Sequence, residues 1–134
     1  MNSAGYAIQQ SIYTALKNDA TLMAKVTDVF DDVIKGSVYP YVTIGDMRSN
    51  WWGSHEKNGE EVTVTISIWS QYLGYKEGLN IAQDLNRILG MNSTLSISGY
   101  ALEMIRFDSM ATMRDSDGIT REIEMVYRVR VLEN

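Results

Sequence analysis

Between Glu61 and Ser70 the side chains alternate: Val62, Val64, Ile66 and Ile68 are apolar, and Glu61, Thr63, Thr65 and Ser67 stand between them. Successive side chains of a strand point to opposite faces, so this period of two describes a strand with one face buried and the other wet. The same rhythm returns near the end of the chain. Ile123, Met125, Tyr127, Val129 and Val131 alternate with positions that include Glu122, Glu124, Arg128 and Arg130. Two long one-sided strands require a sheet with a single apolar face, and that face needs a cover.

Two segments of helical period supply the cover. From about Ala4 to Lys17, Ile8, Ile12, Ala15 and Leu16 fall on one helical face; Asn18 and Asp19 interrupt it, and Asp19 is placed to cap a short turn carrying Leu22 and Met23. From Tyr75 to Leu89 the expected stripe is Leu79, Ala82, Leu85, Ile88 and Leu89, with Gly90 as a C-terminal cap. Between the helices, an extended piece is expected at Val26 to Phe30, and Asp31, Asp32, Lys35 and Gly36 form a polar connection. Pro40 favours an extended Tyr39, and Tyr41 to Met47 continues as a strand, with Val42 and Ile44 facing one way and Tyr41, Thr43 and Gly45 the other. A further strand region runs from Leu95 to Met113, broken near Ser98 and Gly99. Asp115-Ser116-Asp117-Gly118 is a turn whose glycine is free to take positive φ, and the last strand spans Ile119 to Leu132. The order helix, strands, helix, strands predicts one domain over residues 1–134. Its class is α/β (α+β): two layers, a mostly antiparallel sheet with two amphipathic helices on one face.

Composition removes several classes of function. The chain has 12 basic and 17 acidic residues, a net charge of -5, so it lacks the positive footprint of a non-specific nucleic-acid binder. An acidic wall could still line a passage for DNA without gripping it. Cysteine is absent, which excludes disulfides, thiolate metal sites and cysteine nucleophiles. Residues Met1 to Gln10 lack a basic flank followed by an apolar run, and no segment approaches the roughly 20 apolar residues of a membrane span. A soluble protein made in the cytoplasm, with no membrane partner and no cofactor, is expected.

Against this ordinary background stand Trp51 and Trp52, adjacent in the polar, glycine-bearing stretch Arg48 to Glu61. Connections between strands run over the surface, where two large indoles cost solubility unless something covers them. One reading makes them anchors for a partner, with His55 and Lys57 beside them. The other folds a ring back over the open face of the sheet. Both can hold together, with Trp52 on the sheet and Trp51 free. The stretch at about 48–60 is expected to be mobile, because Gly53, Ser54, Asn58 and Gly59 give it little to pack. Trp69, on the polar side near a strand end, reads as structural. On the last strand, Glu122 and Glu124 lie toward one end and Arg128 and Arg130 toward the other, either as complementary patches between copies or as ordinary cross-strand pairs.

Catalytic readings fare poorly. His55, the single histidine, neighbours Ser54 and Glu56, but residues adjacent in sequence rarely form a nucleophile–base pair. The carboxylate pairs Asp31-Asp32 and Glu60-Glu61 are adjacent, so in extended backbone they point apart. Asp115-Ser116-Asp117-Gly118 resembles part of a calcium loop, but its first ligand position would be Met113. Asn92-Ser93-Thr94 matches a glycosylation acceptor that matters only in a secreted protein. No catalytic, cofactor-binding or metal residue is assigned.

The run Tyr39-Pro40-Tyr41-Val42-Thr43-Ile44-Gly45, then Trp52, Gly59-Glu60-Glu61 and Ile66-Ser67-Ile68-Trp69-Ser70, resembles the tail-to-head joining (tail completion) proteins of long-tailed bacteriophages. The resemblance continues through Lys76-Glu77, Ile81, Arg106-Phe107 and Arg114-Asp115-Ser116-Asp117-Gly118, and takes in Ile12, Leu16, Asp19 and Leu22 of the first helix. It covers nearly the whole chain; the departure is the tryptophan doublet, where the family more often has one tryptophan and then a polar run. It implies a non-enzymatic virion part at the head–tail interface, made in the host cytoplasm. It further implies a hexameric ring of identical subunits between the head connector protein and the tail tube or tail terminator protein, with DNA passing through unbound. The competing reading is a protein- or small-ligand-binding module that uses the tryptophan-bearing loop.

Overall fold

The computed structural model describes residues 3–32, 36–91 and 93–134; Lys35 of the expected polar connection and Asn92 of the acceptor triplet lie outside them. Helix α1 spans Gly5–Lys17 and α2 Ala20–Met23; the strands are β1 Val29–Phe30, β2 Tyr41–Trp51 and β3 Gly59–Ser70; helix α3 spans Lys76–Leu89, and β4 Tyr100–Arg114 and β5 Arg121–Glu133 complete the chain. The five strands form one sheet in the order β1-β2-β3-β5-β4. Only the short β1–β2 pair is parallel.

The two alternating strands do what their period requires. Val62, Val64, Ile66 and Ile68 of β3 and Ile123, Met125, Tyr127, Val129 and Val131 of β5 are buried, and they sit side by side in register from Val62↔Val129 to Ile68↔Ile123. Helix α1 adds Ile8, Ile12 and Leu16 and helix α3 adds Ile81, Ala82, Leu85 and Leu89 to the same hydrophobic cluster. Buried side chains of this size contribute about 1.5–3 kcal/mol each, so this helix-covered face carries most of the stability. Tyr127 reaches through it and donates from its hydroxyl to Asn86 Oδ1 at 2.7 Å, tying β5 to α3. Asp19 caps α2 as expected, accepting from the Leu22 N–H at 2.9 Å. The Arg87 guanidinium grips the same carboxylate from α3 with two bonds of 2.8 Å and holds it down at a pKa of about 2, below the usual carboxylate range.

Four expectations need correction. The buried stripe of α3 is centred on Gly78, Ile81, Ala82 and Leu85, while Leu79 is exposed. Gly78 lies against Ile123 so closely that an added Cβ would stand 2.5 Å from Ile123 Cδ1, so the missing side chain is what seats the helix on the sheet. Gly90 caps the C-terminal end of α3 as expected, in extended backbone with φ -77 and ψ -177, whereas Leu95 to Ser98 of the expected strand region form only the isolated bridge of Ile97 to Tyr100. The extended piece before Asp31 shrinks to Val29–Phe30. Finally, the tryptophan stretch is shorter than expected: β2 runs on to Trp51 and β3 starts at Gly59, leaving 52–58 as the connection.

The face away from the helices carries its own aromatic cover near the Tyr41 end. Tyr41 is buried there between Tyr39, Phe30 and Trp69, with ring centroids 4.9, 5.7 and 6.5 Å away, and burial raises its hydroxyl pKa to about 12. Trp69 donates from Nε1 to Thr43 Oγ1 at 3.0 Å, a structural role for that ring.

Candidate functional site

A two-residue irregularity in β2 decides where Trp51 points. Ile44 pairs with Ile66 and Met47 with Val64, so Gly45 and Asp46 together face Thr65 alone. Directly paired residues share a face. After this bulge the helix-side phase passes to Met47, Ser49 and Trp51, opposite Val64, Val62 and Glu60. Without it, Trp51 would sit on the face away from the helices.

Trp51 ends on the helix side of the sheet, 62% exposed, beside a shallow hollow of about 300 Å³ that is also lined by Ser3, Ser49, Gly59 and Glu60. Glu60 continues the buried phase of β3 and is itself buried. Its carboxylate accepts from the Ala4 N–H at 2.9 Å and Ser3 Oγ at 3.0 Å, and from Ser49 Oγ, at the N-terminus of α1. A carboxylate in that position stabilises the helix start. Sequence reasoning weighed Glu60 only as half of the Glu60-Glu61 pair, although an acid in the apolar phase of a strand is a recognisable signal of buried donors.

Trp52 is half-buried on the other side. Its N–H donates to Gly59 O at 2.9 Å, and the Arg130 guanidinium carbon lies 5.1 Å from its ring centroid. The tip closes with Ser54 N–H donating to Lys57 O at 2.8 Å, and an added Cβ at Gly53 would stand 2.5 Å from Lys57 O and 2.6 Å from the Trp51 ring. Gly53 is therefore what lets the indole lie across the turn. His55 and Lys57 are both exposed on this tip.

Arg128 and Arg130 are engaged within the chain. Arg130 Nε donates to Glu61 Oε2 at 2.6 Å, directly across the strands, and Arg128 lies 3.8 Å from Glu61 and 3.4 Å from Asp108. Glu122 accepts from Ser67 Oγ at 2.8 Å, and Glu124 stands between Ser67 and Ala111 in the ladder. These four charges line one wet sheet face and are not brought to the tryptophan doublet as a single cluster, apart from Arg130 under Trp52.

Beyond the tryptophan end, and apart from Tyr6, Leu79 and Met91, large apolar side chains are exposed in two more places. At the opposite end of the strands are Val38 at 68%, Tyr72 at 52%, Leu73 at 80% and Ile119 at 52%; Val38 and Tyr72 line a cleft of about 520 Å³ together with Tyr39, Pro40 and Glu77. Along β4, Phe107, Met110 and Met113 are exposed. The sequence held the signal for the first of these, because Tyr72-Leu73-Gly74 also places large apolar groups in a strand connection. Among the described residues no group of three or more histidines, cysteines, aspartates and glutamates could hold a metal ion, and no helix is long and apolar enough to cross a membrane.

Comparison with known proteins places this geometry. The sequence model of a family described as "Tail completion protein gp17" matches residues 10–132. Among solved structures, a chain of the "Virion of native gene transfer agent (GTA) particle" superposes with a TM-score of 0.90 at 25% identity, over 98% of this chain and 99% of that one. The gp17 protein of bacteriophage SPP1 superposes with a TM-score of 0.60 at 23% identity, over 98% and 91%; at that identity the likeness is one of fold. No curated protein sequence matches the chain.

Proposed function

From the premise that this chain belongs to the gp17 family of tail completion proteins, and is thus a structural protein of the bacteriophage virion, we propose that it joins the tail to the head connector as a ring of six identical subunits. The observation that carries this reading is the distribution of exposed apolar groups. A subunit seated between two larger rings needs a docking surface at each end, and here Trp51 stands at one end of the strands and Val38, Tyr72, Leu73 and Ile119 at the other. Exposed clusters of this kind are characteristic of surfaces that other proteins cover, and tryptophan and tyrosine are favoured anchors in them.

In this reading one end meets the connector and the other the tail tube or tail terminator, and DNA passes through without specific binding, in keeping with a net charge of -5. The subunit supplies fit and adhesion and no chemistry: His55 sits on an exposed tip, with only its chain neighbours Ser54 and Glu56 offered by the sequence as partners. Trp51, Trp52, His55 and Lys57 form the docking tip at one end. Glu122, Glu124, Arg128 and Arg130 form a charged strip on the wet face, with Arg128 and Arg130 paired to Glu61 and Asp108 within the chain. The isolated subunit keeps its tip mobile between Gly53 and Asn58, and the tip becomes ordered on docking.

Deletion of the gene in particle-producing cells tests the proposal. The expected outcome is filled heads and free tails that sediment separately, restored to joined particles by the wild-type protein and not by Trp51→Asp. Joined particles in the deletion strain would overturn it.

A further inference from the structure

The second half of β4 is an unguarded edge. Ser109 to Arg114 hydrogen-bond to β5 on one side, and all six are exposed. Natural edge strands are kept from pairing with other chains by shortness, proline, bulges or inward charges. The last bulge of β4 falls between Phe107 and Ser109, ahead of this run, and Ser109-Met110-Ala111-Thr112-Met113 has neither charge nor proline. At the other margin of the sheet β1 pairs only with Val42 and Thr43, so among the described residues the outer edge of β2 has no backbone partner from Met47 to Trp51.

We propose that these two edges pair between copies: Ser109–Arg114 of one subunit adds to Met47–Trp52 of the next, so that a single sheet runs on around the ring. This rests on the ring-forming reading above. The occupant is a second copy because the two edges match in several independent respects. Strands β2, β3, β5 and β4 alternate in direction, so rotation about an axis along the strands sets β4 antiparallel to the neighbour's β2. Met110 and Thr112 lie on the helix side, opposite Met125 and Ile123, and Ser49 and Trp51 lie on the helix side of β2. A register that pairs Met110 with Trp51 and Thr112 with Ser49 therefore keeps the faces continuous and sets Met110 against one flank of Trp51. In that register β4 ends, at Arg114, opposite Met47, short of the stretch that β1 occupies.

The stagger also fits. Met110 is level with Ile44 across the ladder, six residues along β3 from the level of Trp51. At roughly 3.3 Å per residue and about 4.8 Å per strand, this offset over four strands tilts them at about 45° to the ring axis, the upper end of what closed sheets adopt. Six residues of edge bury less than the roughly 1,000 Å² a stable pair needs, so free subunits stay apart until a flanking ring gathers them.

A chain without cysteine makes a clean cross-linking test. Ala111→Cys and Asn50→Cys, facing each other in the proposed register and both exposed, are combined in one chain and produced in particle-forming cells, and purified particles are treated with a mild thiol oxidant. The expected result is a ladder of covalent multimers from the double variant and none from either single variant, with the melting temperature of the free double variant unchanged. Dimers from Ala111→Cys alone, or no multimers although immunoblotting finds the protein in the particle, overturn edge pairing and leave the joining role standing. Absence of the wild-type protein from joined particles overturns the joining role, and edge pairing falls with it. As an independent check, Met110→Lys with Thr112→Lys guards the edge; it is expected to leave folding intact and lower incorporation at least tenfold. Normal incorporation of that variant also overturns edge pairing.

Discussion

Strands β3 and β4 flank the same partner, β5, and pair with it along most of their length, yet they end in opposite environments. Every second residue of β3 from Val62 to Ile68 is buried beneath α1 and α3, whereas β4 is exposed without interruption from Arg106 to Arg114. Backbone pairing is the same kind in both, so the difference lies in what covers the side chains. The helix layer gives the sheet its stability where it lies, and where it stops short the sheet is left with exposed apolar groups.

The largest effect that could break this comparison comes from truncation under the helices. Ile66→Ala or Leu85→Ala is expected to cost about 2–5 kcal/mol in urea unfolding, against about 0.5 kcal/mol or less for Met110→Ser on β4. Equal losses would mean that β4 is packed as tightly as β3. A step down in size, Gly78→Val should cost about 1–3 kcal/mol by pressing α3 away from Ile123, while Leu79→Ser on the same helix should cost less than about 1 kcal/mol because it faces out.

The tryptophan doublet carries the same contrast at closer range. Trp52→Ala should lower stability by about 1 kcal/mol through loss of the Arg130 contact and its partial burial. Trp51→Ala should leave stability within about 0.5 kcal/mol of the parent in the same urea titrations. The smallest effect is a pH dependence. The Asp19 carboxyl is held at about 2 by Arg87, below its unfolded value near 3.9. Its contribution is therefore whole above roughly pH 4 and fades as pH falls toward 2. Asp19→Asn keeps the helix cap and should flatten that acid limb in a pH series of thermal melts.

How much of this was legible in the chain depends on what marks each feature. The alternation of Val62 to Ile68 and Ile123 to Val131 is written in the residues because one covered face selects one apolar phase. The bulge at Gly45 and Asp46 is not: nothing in Tyr41 to Trp51 says that two residues will face one, and this silent step sends Trp51 to the helix side. Leu79 looked buried because it fits a helical stripe, but the glycine before it allows a closer approach than any side chain. The strand after Gly99 was foreseen, though not that the piece from Leu95 would fall outside it; its exposure was not, since register shifts after Leu102 and Phe107 blur the period that would have separated wet positions from covered ones. The tip at 52–58 was visible as a connection; its flanks, with Trp51 itself, belong to the strands.

The account stands on Trp51 being held outside the fold for another molecule to cover. Oxidative footprinting of the free subunit and of purified particles, read by mass spectrometry at that residue, tests this most directly. Strong modification in the free subunit and protection in the particle are expected, with Trp69 protected in both; a Trp51 that is as reactive in the particle as when free would contradict the account.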